Sequence, residues 1–276
     1  MSKSKSVPGD TPLKQNSAST GVFVHGALEE QRAAVMDDLG NIPEVSVDFM
    51  LDHIIPNSEI DVERTIRRLK RKGVLLNDGW KEFADALPKE SSDNEQTVFS
   101  KMGTIYKGII HYTKFSDGSD GSSRTATLDF TAAPDIAPVS ETKVKSRPDG
   151  CGQLKSNNSL HTSQCGYPPN NKTDYHWFNI AYVEEYMKRN SSKELDDVWT
   201  IFILKYFLLI YENFQNVLKI LWSLHHIMRI DHRRRFAFGT TIENTDTRIW
   251  FCCREIVFVT HPFDFMKVNF GLRLLP

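Results

Sequence analysis

The chain has 276 residues, with 34 lysines and arginines against 35 aspartates and glutamates, and a formal net charge of −1. That balance excludes a generic polyanion or membrane-surface binder driven by bulk charge, and leaves only local patches for such contacts. A hydrophobic share of 40% is enough for a core in one or two domains.

The chain opens with residues 1–20, rich in Ser, Lys, Thr and Pro and almost free of large apolar side chains. Such a composition cannot bury enough surface to offset ordering entropy, which predicts a disordered tail. From 21 to 115 the pattern turns mainly helical. Val62, Ile66 and Leu69 fall at helical spacing, with Ser58 as a candidate cap and Gly73 as the stop. A second short helix is expected from Trp80 to Leu87, before Pro88. Phe99 to Thr113 fits a helix or a strand, because its period does not decide.

Residues 116–176 are loop-like, with Gly, Ser, Asn and paired prolines, and read as a linker or irregular insert with one strand around Thr125 to Phe130. After Trp177 order returns. Ala181 to Lys188 looks helical, and Asn213 to Ile230 is a stronger helix whose Leu218, Leu221, Trp222, His225 and Met228 share a face. Alternation then replaces the helical period. Phe236 and Phe238 mark one strand, Ile249 and Phe251 a second, and 256–259 a third, with turn residues at 243–246. The expected fold class is α+β: a helical N-terminal region, a long irregular middle, and a C-terminal helix packed on a small antiparallel sheet over 177–276. The aromatic set Trp222, Phe236, Phe238, Trp250, Phe251, Phe258, Phe263 and Phe265 is read as core.

Val198 to Ile210 is the longest apolar run, but it is interrupted by Lys205 and falls short of the ~20 residues a membrane span needs. Cys151, Cys165, Cys252 and Cys253 show no secretory framework, and no signal-peptide pattern opens the chain. The expected location is intracellular, cytoplasm or nucleus, with no membrane association. Cys151, His161, Cys165 and His176 lack the paired spacing of structural zinc sites. His225 and His226 point about 100° apart on a helix and, with Arg229, are read as complementing its C-terminal carbonyls. The basic run from Arg64 to Lys72 is read as a solvated helix face, which argues against nucleic acid as a partner; a protein partner stays open. Arg235 is expected to stack on Trp250 or pair with Glu243.

Arg234, Arg235, Phe236, Phe238 and Gly239, then Arg248 and Trp250, then Phe263, Asp264 and Phe265, carry a resemblance. This stretch resembles the segment that precedes the catalytic core in fungal-type protein kinases of mushroom-forming fungi. The resemblance implies protein Ser/Thr phosphorylation with Mg²⁺-ATP for full-length relatives. It gives these residues structural roles. No Gly-rich loop, strand lysine or catalytic-loop signature is legible here. The chain is therefore expected to be a non-catalytic N-terminal portion with no cofactor of its own, or alternatively a protein-interaction module.

A third reading starts from Pro148-Asp149. In the related segment of that family such a pair is followed by a tryptophan and an acidic-x-lysine strand, similar to the metal site of restriction-endonuclease-like folds. Aligning that strand on Ile203-Leu204-Lys205 leaves Ile203 where an acid is needed, so a degenerate metal site is the expectation. The run around Ile203 also departs from the family pattern, as an inserted segment such as translated intron would.

Overall fold

The computed structural model describes residues 28–39, 41–56, 60–113, 127–132, 134, 137–140, 146–155, 175–189 and 215–267. The expectations for 1–20, for Ser58, for His161 and Cys165, and for the 198–210 run lie outside these residues.

Helix α1 covers Leu28–Asp38, strand β1 Glu44–Val45, and α2 Val47–Phe49, which runs into a wider helical turn over Met50–Ile54. Helix α3, Val62–Arg71, starts at Asp61, whose carboxylate accepts the Arg64 amide at 2.8 Å. It stops at Gly73, which adopts φ +67. There Gly73 N–H bonds the Lys70 carbonyl and Val74 N–H the Leu69 carbonyl, a left-handed cap that glycine adopts without steric cost. Of the helix expected over 80–87 only a single 3-10 turn forms, at Lys81–Phe83, while Trp80 closes a hairpin of β2 Leu75–Leu76 with β3 Gly79–Trp80. Trp80 explains the difference. Its indole leaves the local helix period to donate to the Phe265 carbonyl at 3.2 Å, so a tertiary contact sets the local structure.

Helix α4 spans Glu95–Thr113 and buries Val98, Phe99, Met102, Ile105 and Ile109. Strands β4 (Leu128–Ala132), β5 (Gly150–Leu154) and β6 (Ile180–Met187) follow, then helix α5 (Gln215–Ile230) and strands β7 (Phe236–Glu243), β8 (Asp246–Cys253), β9 (Val257–Thr260) and β10 (Phe263–Asp264). They form an eight-stranded sheet of order β1-β9-β8-β7-β6-β5-β4, with β10 on β8. Pairing is parallel at β1/β9 and β6/β7 and antiparallel elsewhere. The α+β class holds, and the sheet is larger than the small antiparallel one expected, and mixed.

The stretch expected as a helix over 181–188 is instead strand β6, Ile180–Met187. Ala, Glu, Met and Lys give this segment helical composition, and a strand buried on both faces shows no apolar-polar alternation. Here Val183 and Glu185 face α5, while Tyr182, Glu184 and Tyr186 face α4. Helices α1 and α5 cover one side of the sheet over Trp177, Trp222 and Trp250, each at most 2% exposed. Helices α3 and α4 cover the other side over Tyr186, Ile242 and Phe265. Full burial of one such side chain contributes about 1.5–3 kcal/mol. The N-terminal residues share this sheet, since buried Arg248 on β8 donates to Glu44 on β1 at 2.6 Å. No helix among the described residues is long and apolar enough to cross a membrane.

Candidate functional site

The element order around α4, β4, β5, β6, α5 and β7 brings three separated residues together at one end of β5 and β6. Asp149 sits one residue before β5, next to Pro148, which is buried. Its Oδ2 accepts the Tyr186 amide of β6 at 3.0 Å, extending the ladder by a side-chain bond where backbone pairing ends. Glu185, the residue before, points into the layer between the sheet and α5. Lys219 and Ser223, one turn apart on the inner face of α5, close the group. Lys219 Nζ lies 3.4 Å from Asp149 Oδ2, and Ser223 Oγ donates to Glu185 Oε1 at 3.2 Å. Asn216, buried at the start of α5, faces the Tyr186 carbonyl and the Met187 amide after reorientation of its amide. Its side chain thus ties α5 to β6 beside the carboxylates.

Charge and burial are mismatched in this group. Glu185 is 1% exposed, and its Oε2 is buried with no hydrogen-bond partner. Burial pushes its pKa well above the carboxylate range, the Asp149 charge pushes it further, and Lys219 and Ser223 pull it back. Asp149 and Glu185 are within hydrogen-bonding reach only when a proton lies between them, since two carboxylates offer acceptors and no donor. A shared proton or a cation is therefore what satisfies Oε2. The Asp149 and Lys219 side chains are 22% and 26% exposed, so the group opens to solvent on their side. Their separation of 3.4 Å is longer than the ~2.8 Å of a tight charge-assisted bond, so Lys219 does not saturate the carboxylate.

This donor set fits a hard divalent cation such as Mg²⁺. Such an ion is bound through one or two carboxylates, keeps several waters, and takes oxygen atoms of a phosphate substrate as further ligands. Beside Asp149 the structure places one acid, Glu185 of β6, and one lysine, Lys219 of α5. Ile203 and Lys205 lie outside the described residues. The acid-x-lysine spacing starting from Glu185 ends on Met187, so a search for that spacing passes over β6. The one signal that leads to the site is Asp149 itself, whose partner acid has to lie on the next strand in the sheet.

The other singled-out residues fall elsewhere. Residues 150–154, inside the stretch 116–176 expected to be irregular, form strand β5. Cys151 is buried, with its thiol 3.5 Å from the Tyr175 hydroxyl and its pKa pushed up to about 11 by burial. His176 precedes a short turn at Trp177–Asn179. Among the described residues no group of three or more His, Cys, Asp or Glu is placed to hold a metal; the site above has two carboxylates. His226 is not a helix-end cation. It stacks on Trp222 at 4.4 Å, bonds Ser140 Oγ through Nε2 at 3.0 Å, and burial holds its pKa down at about 3.

The residues that carry the kinase resemblance are spread over the sheet and away from Asp149. Arg234 donates to the Ile180 and Phe178 carbonyls at 2.7 and 3.0 Å. Arg235 is exposed and does not take the expected role: Trp250 donates its indole N–H to Thr241 Oγ1 at 3.0 Å, and Glu243 pairs with Arg189 at 2.7 Å. Phe236 is 41% exposed and Phe238 half-buried, so this end of the expected aromatic core is open. A Cβ on Gly239 would lie 2.7 Å from Ile220 Cδ1 and 3.0 Å from the Val183 carbonyl oxygen, which explains a glycine where β7, β6 and α5 meet. Phe263 and Asp264 form β10, and the Phe265 ring packs edge-on against Phe83 at 5.6 Å. No family model, curated protein or solved structure matches this chain.

Proposed function

We propose that the chain is a divalent-cation-dependent phosphodiesterase module, with Asp149 and Glu185 as the cation ligands and Lys219 as the third functional group. The observation that carries this reading is the convergence of two carboxylates, buried Glu185 and partly exposed Asp149, with the Lys219 ammonium 3.4 Å from the latter. Two adjoining carboxylates cannot both stay ionised without a proton or a cation between them, and a cation would serve both at once. A bound cation would neutralise phosphate charge and make water a better nucleophile near neutral pH.

The chain's own residues do the positioning. Ser223 fixes one Glu185 oxygen and thereby aims the other. The Tyr186 amide fixes one Asp149 oxygen. Lys219, held by the rigid helix α5, places a positive charge beside both carboxylates, where it can neutralise a phosphate oxygen as negative charge develops during attack. The net reaction adds water across one P–O ester bond and yields a phosphomonoester and an alcohol. We take the likeness to fungal-type protein kinases as the setting of this module, N-terminal to a kinase core. Its motif residues lie in the sheet and its edges, so the proposed chemistry belongs to the Asp149 group.

The test is hydrolysis of bis(p-nitrophenyl) phosphate and of labelled single-stranded DNA, duplex DNA and RNA with Mg²⁺ or Mn²⁺. Turnover that disappears with EDTA and in Asp149→Asn, Glu185→Gln and Lys219→Ala supports the reading. Lys219→Ala is expected to fold normally, because a half-exposed ion pair contributes only ~0–1 kcal/mol. Absence of turnover on every substrate with either ion refutes it.

A further inference from the structure

We infer that Glu184, on the face of β6 opposite the carboxylate pair, is a positioning residue that sets the strand register presenting Glu185 to Asp149. This inference rests on the phosphodiesterase reading and extends it to the other side of the sheet. Glu184 is fully buried. It accepts hydrogen bonds from three phenols: Tyr106 of α4, Tyr182 at 2.6 Å and Tyr186 at 2.5 Å. The Tyr182 hydroxyl also contacts Thr240 Oγ1 on β7. The cage therefore joins α4, β6 and β7 around one carboxylate. Two rings are themselves fixed by packing, Tyr106 against Phe130 at 4.0 Å and Tyr186 against Phe99 at 4.7 Å.

Register is what this cage decides. Side chains alternate along a strand, so a slip of one residue sends every side chain to the opposite face. Residues 184 and 185 are both glutamate, so such a slip would still place an acid opposite Asp149 and would not be opposed by loss of charge there. The phenol donors on the α4 face distinguish the two positions, alongside Val183 packed toward α5 and Ser223 bonded to Glu185. Tyr182, Glu184, Tyr186 and Lys188 form one polar row on that face, and Lys188 Nζ donates to the Ser91 and Asp93 carbonyls at 2.5 and 2.7 Å. Tyr186 links the two faces directly: its hydroxyl bonds Glu184 and its amide bonds Asp149. Loosening the cage therefore displaces a backbone group that holds a proposed ligand.

The test uses the full chain and Mn²⁺ as the probe, with free ion followed by electron paramagnetic resonance at a temperature where every variant is folded by circular dichroism. Wild type binding Mn²⁺ and Glu185→Gln failing to bind it establishes the site. Glu184→Gln is then expected to weaken binding at least ~10-fold. Tyr106→Phe and Tyr182→Phe, which keep the Glu184 carboxyl group and remove one donor each, are expected to weaken it several-fold. Loss of amide-exchange protection at Tyr186 should accompany both effects. Should only Glu184→Gln weaken binding, the carboxyl group acts without its phenol donors and the positioning role is overturned. Wild-type affinity in all three variants overturns it as well. A wild type that binds no Mn²⁺ refutes the phosphodiesterase reading itself, and the inference falls with it. If Glu184→Gln does not fold, the two Phe variants decide.

Discussion

Adding a methyl group at Gly150 brings the Glu184 cage and the carboxylate site into one experiment. A Cβ there would lie 2.6 Å from the Tyr186 hydroxyl oxygen and 3.2 Å from both Glu184 Cβ and Phe130 Cζ. The carbon contacts yield with shifts of a few tenths of an ångström. The hydroxyl contact does not, because its oxygen is held by Glu184 at 2.5 Å. Gly150→Ala should therefore cost about 1–3 kcal/mol as overpacking. Tyr186→Phe removes one of three donors to a buried acid and should cost about 1.5–3 kcal/mol. The phenylalanine also lacks the atom that the new Cβ strikes, so the two changes should not add. The double variant is expected to be at least ~1 kcal/mol more stable than the sum of the single variants requires. Equilibrium urea unfolding followed by tryptophan fluorescence measures all four proteins. Additivity within ~0.5 kcal/mol, or a neutral Gly150→Ala, would refute the close packing of Tyr186 over Gly150 and with it the bridge from cage to site.

Gly239→Ala meets the Val183 carbonyl oxygen at 3.0 Å in the centre of the sheet, where backbone cannot withdraw. It should cost about 2–3 kcal/mol and lower the thermal midpoint by several degrees, as calorimetry would show. His226 gives a pH signature. Its folded pKa, about 3, lies below the ordinary 6.5, so its contribution is fully present above pH 6.5 and fades as pH falls toward 3. Between pH 6.5 and 5 this one group should remove about 2 kcal/mol, at ~1.4 kcal/mol per pH unit. Urea titrations across that range in wild type and His226→Phe should differ by one proton in slope, and equal slopes would contradict the buried neutral ring.

The sequence shows the C-terminal sheet more clearly than the strands that carry the site. Phe236, Phe238, Ile249 and Phe251 alternate as half-buried strands do, and α5 repeats its apolar residues at helical spacing, so both are readable. Strand β5 is Gly-Cys-Gly-Gln-Leu, with no β-branched or aromatic residue, and its glycines serve close approach rather than propensity. Strand β6 carries acids on both faces because one is caged by phenols and the other faces Asp149; no local rule anticipates two adjacent buried glutamates. Pro148-Asp149 marks Asp149 in the sequence, but the neighbouring acid lies on β6 and the lysine on helix α5. Tertiary placement, rather than spacing along the chain, assembles Asp149, Glu185 and Lys219.

The most direct measurement is anomalous diffraction from crystals soaked in Mn²⁺. The account predicts a peak at coordination distance, about 2.1 Å, from carboxylate oxygens of both Asp149 and Glu185, and no such peak in Glu185→Gln. Saturating Mn²⁺ with no density between these two carboxylates, and Lys219 still seated on Asp149, would contradict it.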